Sequence, residues 1–370
     1  MTVYILSILL LLSFSLLELT VTMSSYTKRA MTLFVYAFLV LQVGLRWETG
    51  TDWNNYLAHF QSITNLASAS PSLLSPEYGY GIAIWLVKLV FPSYTAFLLI
   101  HAAVYYYLIF DSLKRYTGIL FLPLMLFYCF TMGITGSNRE LLALAVGIYA
   151  IRYIYDGKLA YFFLLVTLAC MFHYSAVILL LFPLFTLKIR PAILLILLAC
   201  SIVIGVSALP MKAFLAVGTL IGGPELSKAA FYLANSANSL KDTGLSILGL
   251  IKRLFLLSLF LYNRRFLSDK MKYYNIMLNA YVAGAVIYFI FASSLVIIVS
   301  RGSLYFDVFE PLLLASQVYL LKRQSNKLVF ASALCVLSFM IFFQSIAGYP
   351  DLFIPYKGLF INSDYSRMMY

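Results

Sequence analysis

The strongest constraint in this sequence is a series of long runs without a single charged side chain, among them Val3–Leu17, Ala192–Val206, Met277–Val299 and Leu328–Phe343. A helix rises 1.5 Å per residue, so about 20 residues cross a hydrocarbon layer of about 30 Å, and each run is near that length. The chain is 63% hydrophobic and only 11% charged, against roughly 25% charged in soluble domains, more apolar side chain than a soluble core needs. The expected fold is all-α: a polytopic integral membrane protein of one domain, residues 1–370, with about 11–12 membrane-embedded helical segments.

The apolar segments lie near 3–22, 30–45, 77–92, 94–110, 118–135, 140–155, 159–186, 191–208, 246–262, 273–299, 303–321 and 328–345. Between them stand two long polar connections, 46–76 and 209–245, and a tail, 346–370. Met1–Thr20 is apolar from its start and has no small-x-small cleavage pattern, so a retained first helix is expected. The four cysteines are far apart inside apolar runs, without metal-ligand or disulfide spacing. A net charge of +12 raises nucleic acid as a partner, but Lys and Arg fall in short clusters between apolar runs, as topology signals do, which argues against nucleic-acid binding.

The clusters Lys28–Arg29, Asn263–Lys272 and Leu321–Lys327 are expected on the cytoplasmic side. The 46–76 loop, the 209–245 loop, the turn at Arg301 and the tail then fall on the opposite side. Strict alternation from 77 to 190 would place Lys114, Arg115, Arg152 and Lys158 outside. A re-entrant 77–92 segment and a break near His173 bring those four inside and leave Arg139 outside, beside the 46–76 loop.

Few polar residues stand where chemistry is conceivable. From Asp52 the chain has an amphipathic period, with Trp53, Leu57 and Phe60 on a stripe expected to rest on the bilayer and Asp52, Asn55, Tyr56 and His59 on the other face. Asp52 is either a helix N-cap or, with Arg46 close by, a working carboxylate. Arg139 and Glu140 open a helix whose Ala143, Gly147 and Ala150 make a face small enough for a neighbour or a lipid-borne substrate. A guanidinium at the interface suits a diphosphate, which it grips with a fork of donors. His173 interrupts the uncharged run Tyr161–Leu187 about midway, where an ionisable group usually faces an interior or a water-filled cavity. Arg301 and Tyr305 open a late segment whose Asp307 and Glu310 are expected to be structurally paired.

Taken together, these residues resemble the EpsG-like branch of the Wzy-type polysaccharide polymerases. The resemblance rests on Arg46…Gly50-Thr51-Asp52…Tyr56, Glu77-Tyr-Gly-Tyr, Arg139, His173, Arg301…Tyr305-Phe306 and Pro355-Tyr356, in order across most of the chain. Glu140 stands where the family has a glutamine, and Trp53 where a tyrosine is usual. The resemblance implies a fold like the GT-C membrane glycosyltransferases and an enzyme of the bacterial inner membrane. Such an enzyme joins undecaprenyl-diphosphate-linked oligosaccharides, which serve as both donor and acceptor, at the periplasmic face; membrane lipid and a chain-length regulator protein are its other partners. A flippase of lipid-linked sugars and an O-antigen ligase are the alternatives.

Under this resemblance Asp52 and His173 are the catalytic candidates for accepting the acceptor hydroxyl's proton. Arg46, Arg139 and Arg301 would bind the diphosphate, and cations that neutralise a leaving diphosphate can replace a divalent ion, so no metal or cofactor is expected. Tyr56, Glu77, Glu140, Tyr305, Tyr356 and Lys357 are the substrate-binding candidates. Replacing Arg139 or Arg301 by Lys keeps the charge and loses the planar fork. Polymer should fall severely in either variant with membrane abundance unchanged; full-length polymer from both would make these residues structural.

Overall fold

A computed structural model describes residues 1–69, 77–207, 209–221, 247–292, 294–295, 299 and 301–362. The rest of the 46–76 and 209–245 connections and the end of the 346–370 tail lie outside the described residues. The apolar runs are mainly helical where described and no β-strand occurs among the described residues, so the chain is an all-α polytopic membrane protein. Among the described residues four helices are long and apolar enough to cross a membrane unaided: α1 (Thr2–Thr20), α6 (Tyr94–Thr117), Tyr274–Phe291 and Gln324–Ile346. The chain divides into two compact units, Met1–Leu180 with Leu314–Tyr370, and Leu181–Leu313.

In the first unit α6 packs between α2 (Ser25–Gly44) and α8 (Asn138–Ala150), and α8 packs in turn on α10 (Leu159–Phe172). Helices α1, α7 (Phe121–Thr131) and Gln324–Ile346 pack on one another. Hydrogen bonds define the two ends of this unit. At one end the Glu18 carboxylate accepts the backbone N–H groups of Leu120 (3.0 Å) and Phe121 (2.9 Å), which have no partner inside their own helix. Nearby the Tyr319 hydroxyl donates to the Thr117 carbonyl (2.7 Å), the Gln324 amide donates to the Thr20 carbonyl (3.0 Å), and Arg152 pairs with Asp111. At the other end Tyr4 donates to the Phe353 carbonyl (3.1 Å) and Tyr356 to the Gln42 carbonyl (2.6 Å).

Those ends decide the path of the ambiguous middle. Helix α3 (Trp53–Ser62) and the short α4 (Leu66–Ala69) follow α2, and then α5 (Tyr78–Lys88) touches α3 at both of its own ends. Tyr80 lies against the rings of Tyr56 and His59, while the Lys88 ammonium donates to the carbonyls of Phe60 (2.7 Å) and Ile63 (2.6 Å). The segment therefore returns to the end it started from, and α6 begins there too. Lys114, Arg115, Arg152 and Lys158 consequently share the end occupied by Lys28, Arg29, Lys322 and Arg323.

The break expected near His173 is present: α10 stops at Phe172, His173 is extended (φ −149°, ψ 123°), and the chain turns back as the 3-10 stretch Tyr174–Thr186. The run is two short passes, and His173 lies at the turn between them. The expectation that the apolar stripe of α3 rests on lipid is corrected. Trp53 and Phe60 are buried against Tyr94 and Phe97, because the first turn of α6 offers an aromatic surface at that height. Of the two readings of the small face of α8, the neighbour holds at Gly147, where a Cβ would collide with the Leu179 side chain.

The second unit contains α11 (Pro191–Gly205), α12 (Leu209–Ile221), α13 (Ile247–Tyr262), α14 (Arg264–Lys270), α15 (Tyr274–Phe291) and α16 (Leu304–Asp307); α9 (Arg152–Tyr155) is the short continuation of α8 in the first. Rings of Phe182, Phe185, Phe306 and Phe309 pack together, and the Asn279 amide donates to the carbonyls of Phe185 (2.7 Å) and Leu187 (2.8 Å) where the 3-10 stretch ends. Glu310 pairs with Lys252 at 2.7 Å and Asp307 accepts from Ser303, so both late carboxylates have the structural partners expected of them.

Gly118 and Gly157 would report the position of the basic end, but both have positive φ (76° and 69°), where a cysteine would be strained. Exposed Thr22 and Ala160 mark the same end, and exposed Asn55 the other. Single cysteines at Thr22 and Ala160, in a background lacking the four native ones, should behave alike toward an impermeant thiol reagent in intact cells and opposite to one at Asn55. Unlike labelling of Thr22 and Ala160 would restore strict alternation.

Candidate functional site

The polar residues of the first unit gather where three chain segments meet: the exit of α2, the approach to α8 and the tail. The first two touch backbone to backbone at a pair of glycines. Gly50 (φ 100°) and Gly136 (φ 117°) adopt conformations that suit only glycine, and a Cβ on either would strike the carbonyl oxygen of Thr135 or Thr51 respectively. The Thr51 N–H donates to the Thr135 carbonyl (3.2 Å), and Gly50 N–H to the Leu352 carbonyl (2.8 Å). The tail laces the exit of α2 from the far side, with Trp47 N–H donating to the Lys357 carbonyl (3.0 Å) and Lys357 N–H to the Thr49 hydroxyl (2.8 Å).

Arg46 is the buried centre of this junction, with 2% exposure. Its guanidinium donates to the Val43 carbonyl (2.7 Å) and to the Asn138 side-chain oxygen, lies 6.0 Å from the Trp53 ring, and leaves Nε without a hydrogen-bond partner among the described residues. No carboxylate pairs with it there. Asn138 in turn donates to the Tyr80 hydroxyl (3.1 Å), and its carbonyl meets His101 Nε2 at 2.8 Å.

The neighbouring residue Arg139 is open, with its side chain 33% exposed. It donates to the Glu77 carboxylate (2.6 Å) and through Nε to the Tyr56 hydroxyl (3.3 Å). The second Glu77 oxygen accepts the Tyr174 N–H (2.9 Å) and stands 4.0 Å from His173 Nε2, while His173 Nδ1 meets the Ser175 hydroxyl at 2.6 Å. Glu77 thus binds the guanidinium through one oxygen and faces the imidazole, 4.0 Å away, with the other. Burial first, and then the charge of Arg139, keeps the nearby His59 imidazole below its usual pKa, so it is neutral at pH 7. Burial pushes the Tyr56 phenol up, and Arg139 pulls it part of the way back.

Asp52 occupies the N-cap position of α3 but makes no capping hydrogen bond, and its left-handed backbone (φ 55°, ψ 15°) is one that Asp tolerates better than most residues. Its exposed carboxylate is approached by the Ser137 hydroxyl at 3.5 Å.

The structure therefore brings together Arg46, Asp52, Tyr56, Glu77, Arg139 and His173 from the residues singled out in the sequence. It gives others different surroundings. Glu140 is buried at 1% exposure; Tyr356 and Lys357 are also buried, the first bonded to the Gln42 carbonyl and the second 3.6 Å from Glu48, so they anchor the tail. Arg301 and Tyr305 belong to the second unit, where Arg301 is exposed and Tyr305 fully buried. The sequence reading missed Asn138, Ser137 and His101. Ser137-Asn138-Arg139 between two apolar runs was a visible polar interruption, whereas His101 inside an apolar helix gave no signal of its partner.

A membrane-embedded helical protein with an open guanidinium, carboxylates and an imidazole at one end of its first unit is thus defined. The chain belongs to the EpsG family, whose sequence model matches residues 29–358. No curated protein and no solved structure matches it.

Asn138→Leu leaves the buried Arg46 guanidinium only its bond to the Val43 carbonyl, and a lost hydrogen bond to a charged group costs about 1.5–3 kcal/mol. The expected result is a clear drop in the midpoint of thermal unfolding in detergent, with a smaller drop for Asn138→Asp, which restores an acceptor. An unchanged midpoint in Asn138→Leu would contradict this account.

Proposed function

We propose that this chain is a polysaccharide polymerase that joins oligosaccharide repeat units carried on undecaprenyl diphosphate. The observation that carries the reading is the cluster Asp52, Tyr56, Glu77, Arg139 and His173, gathered at the end opposite Lys28, Lys114 and Lys322. Basic clusters face the cytoplasm by the positive-inside tendency, so the cluster faces the periplasm of the inner membrane, where lipid-linked donor and acceptor meet. A chain-length regulator protein is the partner proposed for it.

In the proposed reaction the acceptor sugar's hydroxyl gives its proton to the Asp52 carboxylate while its oxygen bonds to the anomeric carbon of the donor. The bond from that carbon to the diphosphate oxygen breaks, and the electron pair leaves with the diphosphate. Arg139, held in place by Glu77 and Tyr56, offers its remaining donors to the charge that develops there. Arg46 acts through Asn138, as a buried positive charge behind the site and a strut for the α8 N-terminus. His173, one carboxylate away from Arg139, is the second candidate base.

Asp52→Asn removes basicity and keeps size, and Asn tolerates the left-handed backbone at least as well as Asp. Because the Asp52 side chain makes no cap bond, no capping loss should accompany the change. The expected outcome is a stably inserted protein that still binds lipid-linked repeat units and yields only single-unit surface glycan. Wild-type polymer length would move the base to His173, and polymer accumulating on the carrier would favour a ligase.

A further inference from the structure

Below the cluster, α5, α6, α8 and α10 enclose a groove of 360 Å³ with no charged residue in its lining. It runs along α6 from Phe97 to Leu108, about 16 Å of helix at 1.5 Å per residue, roughly half the hydrocarbon layer. Its rim is lipid-facing: Ile100, Val104 and Leu168 are 39%, 46% and 38% exposed. Only His101 and Tyr149 bring polar atoms to the lining, and His101 turns Nε2 toward the Asn138 carbonyl.

The upper end of the groove adjoins the site. Phe172 lines it and is followed directly by His173; Phe97 lines it and packs edge-on against Tyr80 at 5.4 Å, whose hydroxyl receives the Asn138 amide. An amphiphile whose anionic head sits on Arg139 meets the lining of this slot at Leu142, three residues further along α8. We propose that the groove holds the first isoprenoid units of the polyprenyl carrier, entering sideways from the bilayer past Val104 and Leu168. This rests on the reading that the substrate is a polyprenyl diphosphate. A slot without charge cannot hold the head, and burying apolar chain surface in it supplies about 25 cal/mol per Å² without any directional contact, which suits a carrier common to many glycans.

The test uses the full chain in nanodiscs containing phosphatidylglycerol, with a photo-crosslinking benzoylphenylalanine at Val104, at Leu168 and, as a control on α10 outside the groove, at Leu164, which is 64% exposed. The probe is radiolabelled undecaprenyl diphosphate. Crosslinking at Val104 and Leu168 should exceed that at Leu164 by about tenfold, corresponding to about 1.4 kcal/mol of preference, and unlabelled undecaprenyl diphosphate should abolish it. Equal labelling at all three positions, or displacement by added phosphatidylglycerol alone, overturns the proposal. Val104→Trp, which narrows the groove from a half-open rim position, should raise the carrier concentration needed for half-maximal crosslinking at Leu168 by about tenfold. The two readings fail separately. Groove labelling by a protein that makes no polymer refutes the polymerase and leaves the groove, whereas normal polymerisation without groove labelling refutes the groove alone.

Discussion

A buried guanidinium with no carboxylate partner among the described residues is expensive, and the junction of the first unit is organised around one. Arg46 leaves α2 at its last turn and is taken up by Val43, by Asn138 at the start of α8 and by the face of Trp53 at the start of α3. Arginine is the cation suited to this place, because its charge is spread over a plane, is weakly hydrated and can lie beside aromatic rings. Two of these partners, Asn138 and Trp53, are the first residues of helices, so holding Arg46 fixes where both begin. Arg139, one residue after Asn138, inherits its position from that bond.

A second constraint acts through backbone. Gly50 and Gly136 let the α2 exit and the α8 approach touch without side chains between them, and the tail closes over the exit through Lys357 and Thr49. The open residues Asp52 and Arg139 are therefore carried by loops fixed to each other, a rigid mounting for groups that must meet a substrate with defined geometry. Deeper in the unit Gln42 links α1 and α7 through Ser7 and the Tyr128 hydroxyl, a polar tie that holds α2 in its place beneath the junction.

The helical turn at His173 and the return of α5 produce the site in a complementary way. Each delivers a chemical group, His173 in one case and Glu77 in the other, to the same end as Arg139. Had α5 crossed the membrane, as simple alternation from its apolar composition requires, Glu77 could not stand between Arg139 and Tyr174. Its two ends are instead tied to α3, by the Tyr80 ring and by Lys88. The apolar face that reads as lipid-facing in α3 packs instead against Tyr94 and Phe97 of α6.

Membrane embedding, helical class and the approximate limits of most segments were fixed by sequence, because uncharged runs of this length have one stable solution in a bilayer. Arg139, Asp52 and His173 were also visible, since an ionisable side chain among apolar runs stands out by its desolvation cost alone. What the sequence left open was which of these residues would be exposed and which buried. Arg46 and Arg139 are the same residue type at two segment ends, yet one is a buried strut and the other an open fork. Glu140 and Glu77 differ likewise, and Tyr356 and Lys357 hold a tail where they could have faced a ligand. Composition sets the cost of burying a polar group, but only the partners brought from distant segments decide whether that cost is met, and those partners, Asn138 for Arg46 and Glu77 for Arg139, lie 92 and 62 positions away along the chain.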